Sequence, residues 1–347
     1  MFAPGGLDST PFFCEITATS GWGLFAPGAI MAMQSPRFRH GPRARARPAL
    51  ALATALFTLA PVVPPAECRG EDAPTLAPDA ARDAPFPWTR FLAEAFPEGL
   101  DPERSRQPHT IRDPGPDTAN YPNSPETLPR GAVYLETSPV FWTSAIGTIQ
   151  PATYNAEALL RMGLTDRVEF RLYSSGFTWQ AAGFGQGQTT GFSPLIFDTK
   201  IHFWEENREW FLPAAGFEAF IQTPWGSPAF DAGTQPALMM LFRNTLWWDI
   251  TAEWNVGMAA DSTVGGGYTP VDVVQWAFTK SITDDFDVFI HGFQNESAMP
   301  RLSAQTVVGG GFIWYPSDRV SMYGNWGAGT DKSGPASTFQ FGIAGSY

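Results

Sequence analysis

Twelve residues in the second part of the chain carry groups that could do chemistry: Glu136, Glu157, Arg161, Glu169, Arg171, Asp198, Lys200, His202, Glu218, Arg243, Glu253 and His291. Their spacing is informative. In Val168–Leu172 the apolar Val168, Phe170 and Leu172 alternate with Glu169 and Arg171. In the preceding segment Leu160 and Met162 fall on one side, and Glu157 and Arg161 on the other. Residues two apart on a strand share a face, so the charges collect on one face and the apolar groups on its reverse. Six of the twelve are carboxylates and four are Lys or Arg. That mixture favours ion pairs bracing an interior over the one-sign ring of an ion-selective pore. A three-residue turn at Leu164-Thr165-Asp166 would set Arg161 opposite Glu169 as one such pair.

The histidines invite a catalytic reading, which needs a Ser within reach of the His and a third group to orient it. Neither His202 nor His291 has a Ser two residues away; Gly292-Phe293 follows His291. Both read as interior hydrogen-bonding residues, with a barrel hydrolase as the alternative. The two cysteines, Cys14 and Cys68, and four histidines give a transition-metal site little support. No catalytic residue, cofactor or metal is assigned. Gly265-Gly266-Gly267 and Gly309-Gly310-Gly311 lack the Gly-Lys-Ser/Thr that completes a phosphate loop.

The elements that must position these residues are strands. Period-two patterning gives twelve segments, near 131–137, 152–163, 167–178, 195–205, 209–222, 236–247, 249–260, 270–281, 285–297, 303–314, 319–328 and 337–347. A tilted membrane strand needs about 9–11 residues. The connections alternate between short turns and longer loops, as in outer-membrane barrels with an even strand number. The expected fold is therefore all-β: a closed antiparallel up-and-down transmembrane β-barrel of about 12 strands, ten or fourteen if one hairpin is miscounted. Pro213 falls inside the fifth segment, where it removes a ladder donor and should force a bulge or an irregular rim.

Aromatic residues cluster near the short turns (Trp204, Trp210, Trp247, Trp248, Trp314, Tyr315, Tyr347) and near the long loops (Trp142, Tyr154, Trp179, Trp225, Tyr268, Trp326). Two bands of amphipathic rings fit two membrane interfaces; a soluble β-sandwich, the rival fold, gives no reason for them. The last strand alternates Phe339, Phe341, Ile343, Gly345 and Tyr347 with Gln340, Gly342, Ala344 and Ser346. Its aromatic terminus fits recognition by the barrel-assembly machinery.

Composition is consistent with this. Of 347 residues 44% are hydrophobic, 14% aromatic and only 16% charged, against about 25% charged in average globular chains. The mean hydropathy is −0.14. The longest apolar stretch, Ala49–Val63, spans 15 residues, short of the roughly 20 of a membrane helix. With 22 basic and 34 acidic residues, the chain does not fit a nucleic-acid binder.

Ahead of the strands, Arg37, Arg39, Arg43, Arg45 and Arg47 precede Ala49–Val63 and then Pro64-Pro65-Ala66-Glu67-Cys68. This reads as a secretory signal over residues 31–68, with residues 1–30 an upstream extension from a mis-assigned start. Without that region's five Arg and three acids the counts fall to 17 basic and 31 acidic. No cysteine remains for a disulfide framework. Twenty-one of 32 prolines precede residue 131. Residues 69–130 therefore read as a Pro-rich periplasmic extension with room for one short helix at 87–96, and residues 131–347 as the barrel.

Asp117-Thr118-Ala119-Asn120, then Ser124-Pro125-Glu126-Thr127-Leu128-Pro129-Arg130-Gly131-Ala132-Val133-Tyr134-Leu135-Glu136, resembles the opening of a bacterial outer-membrane family named after the meta-pathway of phenol degradation. Leu160-Arg161-Met162-Gly163-Leu164-Thr165-Asp166-Arg167-Val168-Glu169-Phe170-Arg171-Leu172 resembles its next hallmark. The resemblance runs from about Asp117 to Tyr347 and departs from the family at Asn120–Asn123 and in a Trp-rich middle section. It implies an outer-membrane barrel, often labelled a transporter, that moves small solutes, and it supplies no catalytic residues. The expected function is passive passage of small neutral or apolar, even aromatic, solutes through the outer membrane of a Gram-negative-type bacterium. The alternative is a structural or adhesive barrel with partner-binding loops. The expected partners are outer-membrane lipid, the assembly machinery and a small solute.

Overall fold

The computed structural model describes residues 109–147, 150–183, 187–262, 268–295 and 304–347. The expected signal, the upstream extension, the helix at 87–96 and residues 69–108 lie outside the described residues. The strands are β1 (Val133–Thr143), β2 (Thr153–Thr165), β3 (Val168–Gln180), β4 (Thr189–Phe192), β5 (Ile196–Trp204), β6 (Ala214–Gln222), β7 (Gln235–Thr245), β8 (Ile250–Ser262), β9 (Tyr268–Thr283), β10 (Phe286–Asn295), β11 (Gln305–Ser317), β12 (Val320–Gly329) and β13 (Thr338–Ser346). All pairs are antiparallel. The ladder runs from β2 through β1 and β13 back to β3, and the β2–β3 pair closes it.

Thirteen strands make twelve staves. β4 and β5 both pair with β3, at 177–180 and 168–173, so they are one stave broken at Ser193-Pro194-Leu195. Pro194 cannot donate to the ladder, which accounts for the break. The fold is the closed twelve-stave barrel expected from the patterning.

Closure removes every sheet edge, and alternation then decides what each face meets. Leu238, Trp254, Val256, Val274, Ile290 and Phe341 point outward and are exposed, whereas their neighbours Met239, Asn255, Val273, His291 and Gln340 are buried inside. Near the short turns Trp204, Trp210, Trp247, Trp248, Trp314 and Tyr347 are exposed; near the long loops Trp225, Tyr268 and Trp326 are. Tyr315 departs from the expected band: it is buried, with Arg112 over its ring at 4.8 Å. Among the described residues no helix is long and apolar enough to cross a membrane.

Three local differences from the sequence reading have physical causes. First, β1 continues to Thr143, because Pro139 is absorbed by an irregularity between Thr137 and Val140 instead of ending the strand. Second, Arg161 lies opposite Arg171, not Glu169, because the turn is Asp166-Arg167 with a bulge between Gly163 and Thr165. The shift is two residues, so every side chain keeps its face. Third, β6 starts only after Pro213. The rim before it is irregular: a short 3₁₀ turn at Arg208–Trp210 ends on Phe211 at φ 51°. Trp204 Nε1 donates to the Pro213 carbonyl at 2.9 Å.

Candidate functional site

Residues 109–130, read from sequence as the end of an extension, are packed inside the barrel. Ile111 N donates to the Asp318 carbonyl, and Arg112 pairs with Asp285 at the β9–β10 turn. From this short-turn mouth the chain rises to Tyr121, beside Thr338 at the start of β13, and returns to Asp166 and Gly163 at the β2–β3 turn. Ala119, Tyr121, Thr127 and Leu128 are all buried. We call residues 114–130 the plug.

With prolines at 114, 116, 122, 125 and 129, the plug cannot form helix or ladder, yet its buried backbone groups need partners. The wall supplies them. Glu136 accepts from Asp117 N at 3.2 Å and Thr118 N at 2.8 Å, and Glu169 accepts from Leu128 N at 2.8 Å. Arg161 donates to the Gly115 carbonyl at 2.9 Å, Asn325 to that of Ala119 at 2.9 Å, and His202 to that of Pro125 at 3.1 Å. Close approach also matters. A Cβ on Gly163 would lie 2.1 Å from the Pro129 carbonyl oxygen, and one on Gly327 would lie 2.9 Å from the Tyr121 hydroxyl.

The charges form one buried network about Asp117. Its carboxylate meets Arg161 at 3.2 Å, Arg171 at 3.5 Å and Lys200 in a short contact. Arg161 also holds Glu136 at 3.0 Å and Glu169 at 2.7 Å, so the Arg161–Glu169 ion pair forms along a diagonal of the ladder. Arg171 continues to Asp198 at 3.0 Å and to Glu218. Burial pushes the Asp117 carboxyl up, but Arg161, Lys200 and Arg171 outweigh it and hold the group down at about 2.

The other sequence-selected residues lie apart from this network. Arg243 pairs with Glu126 of the plug at 2.8 Å and stands opposite Glu253 in the ladder. Burial raises the Glu126 carboxyl despite Arg243. His291 lies under the Tyr121 ring, with centroids 3.9 Å apart. Glu157 is buried higher in β2, with Gln340 Nε2 at 3.5 Å. The sequence reading missed Asp117, Thr118, Asn123 and Glu126, the plug's share of the site. Their signal was the first motif block, which carried the family resemblance but lay in a segment assigned to a proline-rich extension.

Towards the long loops the interior changes character. Leu159, Tyr173, Ile196, Met239, Leu241 and Val273, with Val271, Ala237 and Ala259, form one buried apolar cluster that Phe220 joins. Each sits two positions from an inward polar or charged residue, or follows one in the same alternation, so they line the inner face of β2, β3, β5 and β7–β9 as a partial collar; in the ladder Leu159 lies opposite Glu136 and Met239 opposite Glu218. On the turn side a polar cavity of about 170 Å³ separates the plug from β7–β11.

The two motif blocks that carry the family resemblance thus meet: Asp117 binds Arg161, Leu128 binds Glu169, and Gly131 N donates to the Gly163 carbonyl. An outer-membrane channel from Pseudomonas putida F1 shares the fold at TM-score 0.51 and 13% identity, covering 65% of this chain and 99% of its own. The NanC porin follows at TM-score 0.43 and 8% identity (61% and 98% covered), and the translocator domain of NalP from Neisseria meningitidis at 0.36 and 8% (62% and 86% covered). No curated protein matches the chain. A family profile matches residues 116–347, so plug and barrel together fall within it, and the chain belongs to the family described as "Putative MetA-pathway of phenol degradation".

Proposed function

We propose that the protein is a passive channel for small neutral or apolar solutes, aromatic ones included, in the outer membrane of a Gram-negative-type bacterium. The collar carries this reading. Porin interiors are polar, whereas here Leu159, Ile196, Met239, Leu241 and Val273 line one side of the interior with apolar groups. An apolar constriction sheds water and opposes ions, while an uncharged apolar solute loses nothing there. The family description points to aromatic metabolism, and the Pseudomonas putida relative is titled an outer-membrane channel.

In this reading Glu136, Arg161, Glu169, Arg171, Asp198, Lys200, His202, Glu218, Arg243 and His291 seat the plug, and Glu157 and Glu253 line what remains of the interior. The exposed apolar belt meets outer-membrane lipid, and the strand ending at Tyr347 is the part the assembly machinery recognises. The short-turn mouth, where Ile111 and Arg112 dock, faces the periplasm. Liposome swelling with the refolded barrel tests the proposal. Neutral aryl solutes should pass faster than charged solutes of equal size. A barrel with intact heat-modifiable migration that passes neither would overturn it.

A further inference from the structure

The plug is held unevenly. Its backbone bonds to the wall and its buried ion pairs go mainly to β1–β3, β5, β6 and β12. On the opposite flank Arg243 pairs with Glu126 at 2.8 Å, and beside that pair the polar cavity lies between Asn120 and Pro122 of the plug and Glu253, Thr279 and Asp287 of the wall. Above it, one inward step from Glu253 along β8 and two from Thr279 along β9, Asn255 and Gln275 are fully buried and opposite each other. Asn255 Nδ2 donates to Gln275 Oε1 at 3.4 Å, which leaves Asn255 Oδ1 and Gln275 Nε2 without partners. Reversing both amides would still leave one free acceptor and one free donor. Leu241 of the collar lies opposite Asn255, and the next inward steps are Met239, Val273 and then Val271.

Given the channel reading, on which this inference rests, we propose that solutes pass the seated plug along the inner face of β7–β9, and that the Asn255–Gln275 pair is the polar binding step on that route. A buried donor and acceptor side by side match a hydroxyl, which gives its proton to one amide and accepts from the other. The collar above takes an apolar body. The solute class is therefore a small uncharged molecule with a hydroxyl head and an apolar or aromatic body. The plug need not leave.

The test fixes the plug and asks whether passage survives. In a Cys14→Ser/Cys68→Ser background, Thr118→Cys and Tyr323→Cys replace two side chains whose hydroxyls touch on the far flank, and a short bis-alkylating reagent bridges them. Arbutin, a neutral aryl glucoside, is the probe in liposome swelling. The bridged barrel should pass arbutin at the rate of the unbridged one. Asn255→Leu/Gln275→Leu should slow it by about fivefold, the order of one lost hydrogen bond, and Leu241→Ala should speed it. Heat-modifiable migration checks that each variant is folded. Passage by the unbridged form alone would overturn the route and leave the channel reading standing, and unchanged rates in folded Asn255→Leu/Gln275→Leu would overturn the binding step. No passage of any neutral solute by either form would overturn the channel reading, and the route with it.

Discussion

Asp117 is where the chemistry of the interior is most concentrated, because one carboxylate answers three cations that the wall leaves close together. Removing one partner of a buried pair leaves the others uncompensated and costs about 3–5 kcal/mol. Asp117→Asn should therefore lower barrel stability by that order, read as the denaturant midpoint of the heat-modifiable form. Glu126→Gln should cost less, since burial already raises that carboxyl and, among the described residues, its ion pair is with Arg243. The pH dependence follows from the sign of the shift. The folded Asp117 carboxyl sits at about 2, below its ordinary 3.8, so its contribution is complete above that ordinary value and is lost as pH falls through the interval to about 2. The wild-type melting temperature should be insensitive to this group near neutral pH and drop within that acid window. Asp117→Asn should remove part of the drop; an identical acid profile in the two proteins would refute the assignment.

At the scale of elements, strands were legible because alternation survives errors of register. The β2–β3 ladder differs by two residues from the expected pairing, yet Arg161 and Glu169 still share the interior and still meet. Proline effects were harder to place. Pro139 is absorbed inside β1, Pro194 breaks a stave, and Pro213 delays β6, three outcomes for one residue type. The plug was not legible as an element at all, since it has no period and its bonds are to residues far along the chain. Its fit is testable. A Gly163→Val side chain would collide with the Pro129 carbonyl, and buried backbone without room should be expelled at the plug's exit. Trypsin should then cut the folded variant after Arg130, while the wild type resists; equal resistance would show that the exit tolerates the change.

In the whole molecule, plug and barrel are complementary: the barrel supplies a closed wall, and the plug sets Asp117 among three of the wall's cations. Deleting residues 114–129 should leave a barrel that still assembles, because no ladder bond belongs to the plug. It should also conduct ions severalfold better in planar bilayers, because the charged lower interior would then be hydrated. A deletion variant with unchanged conductance would place the limiting constriction wholly in the collar.

The amino-acid sequence by itself determined the barrel and its twelve staves, because a strand's two faces follow from its own alternation and need no knowledge of a partner. Only the tertiary structure decided what the inward charges do. Seven of the sequence-selected residues converge on one plug residue, Asp117, through contacts from five strands and across separations of 19 to 101 positions, from Glu136 to Glu218. Such pairing comes from barrel closure and from proline-rich backbone that must borrow its hydrogen bonds from the wall, and neither leaves a local period in the sequence.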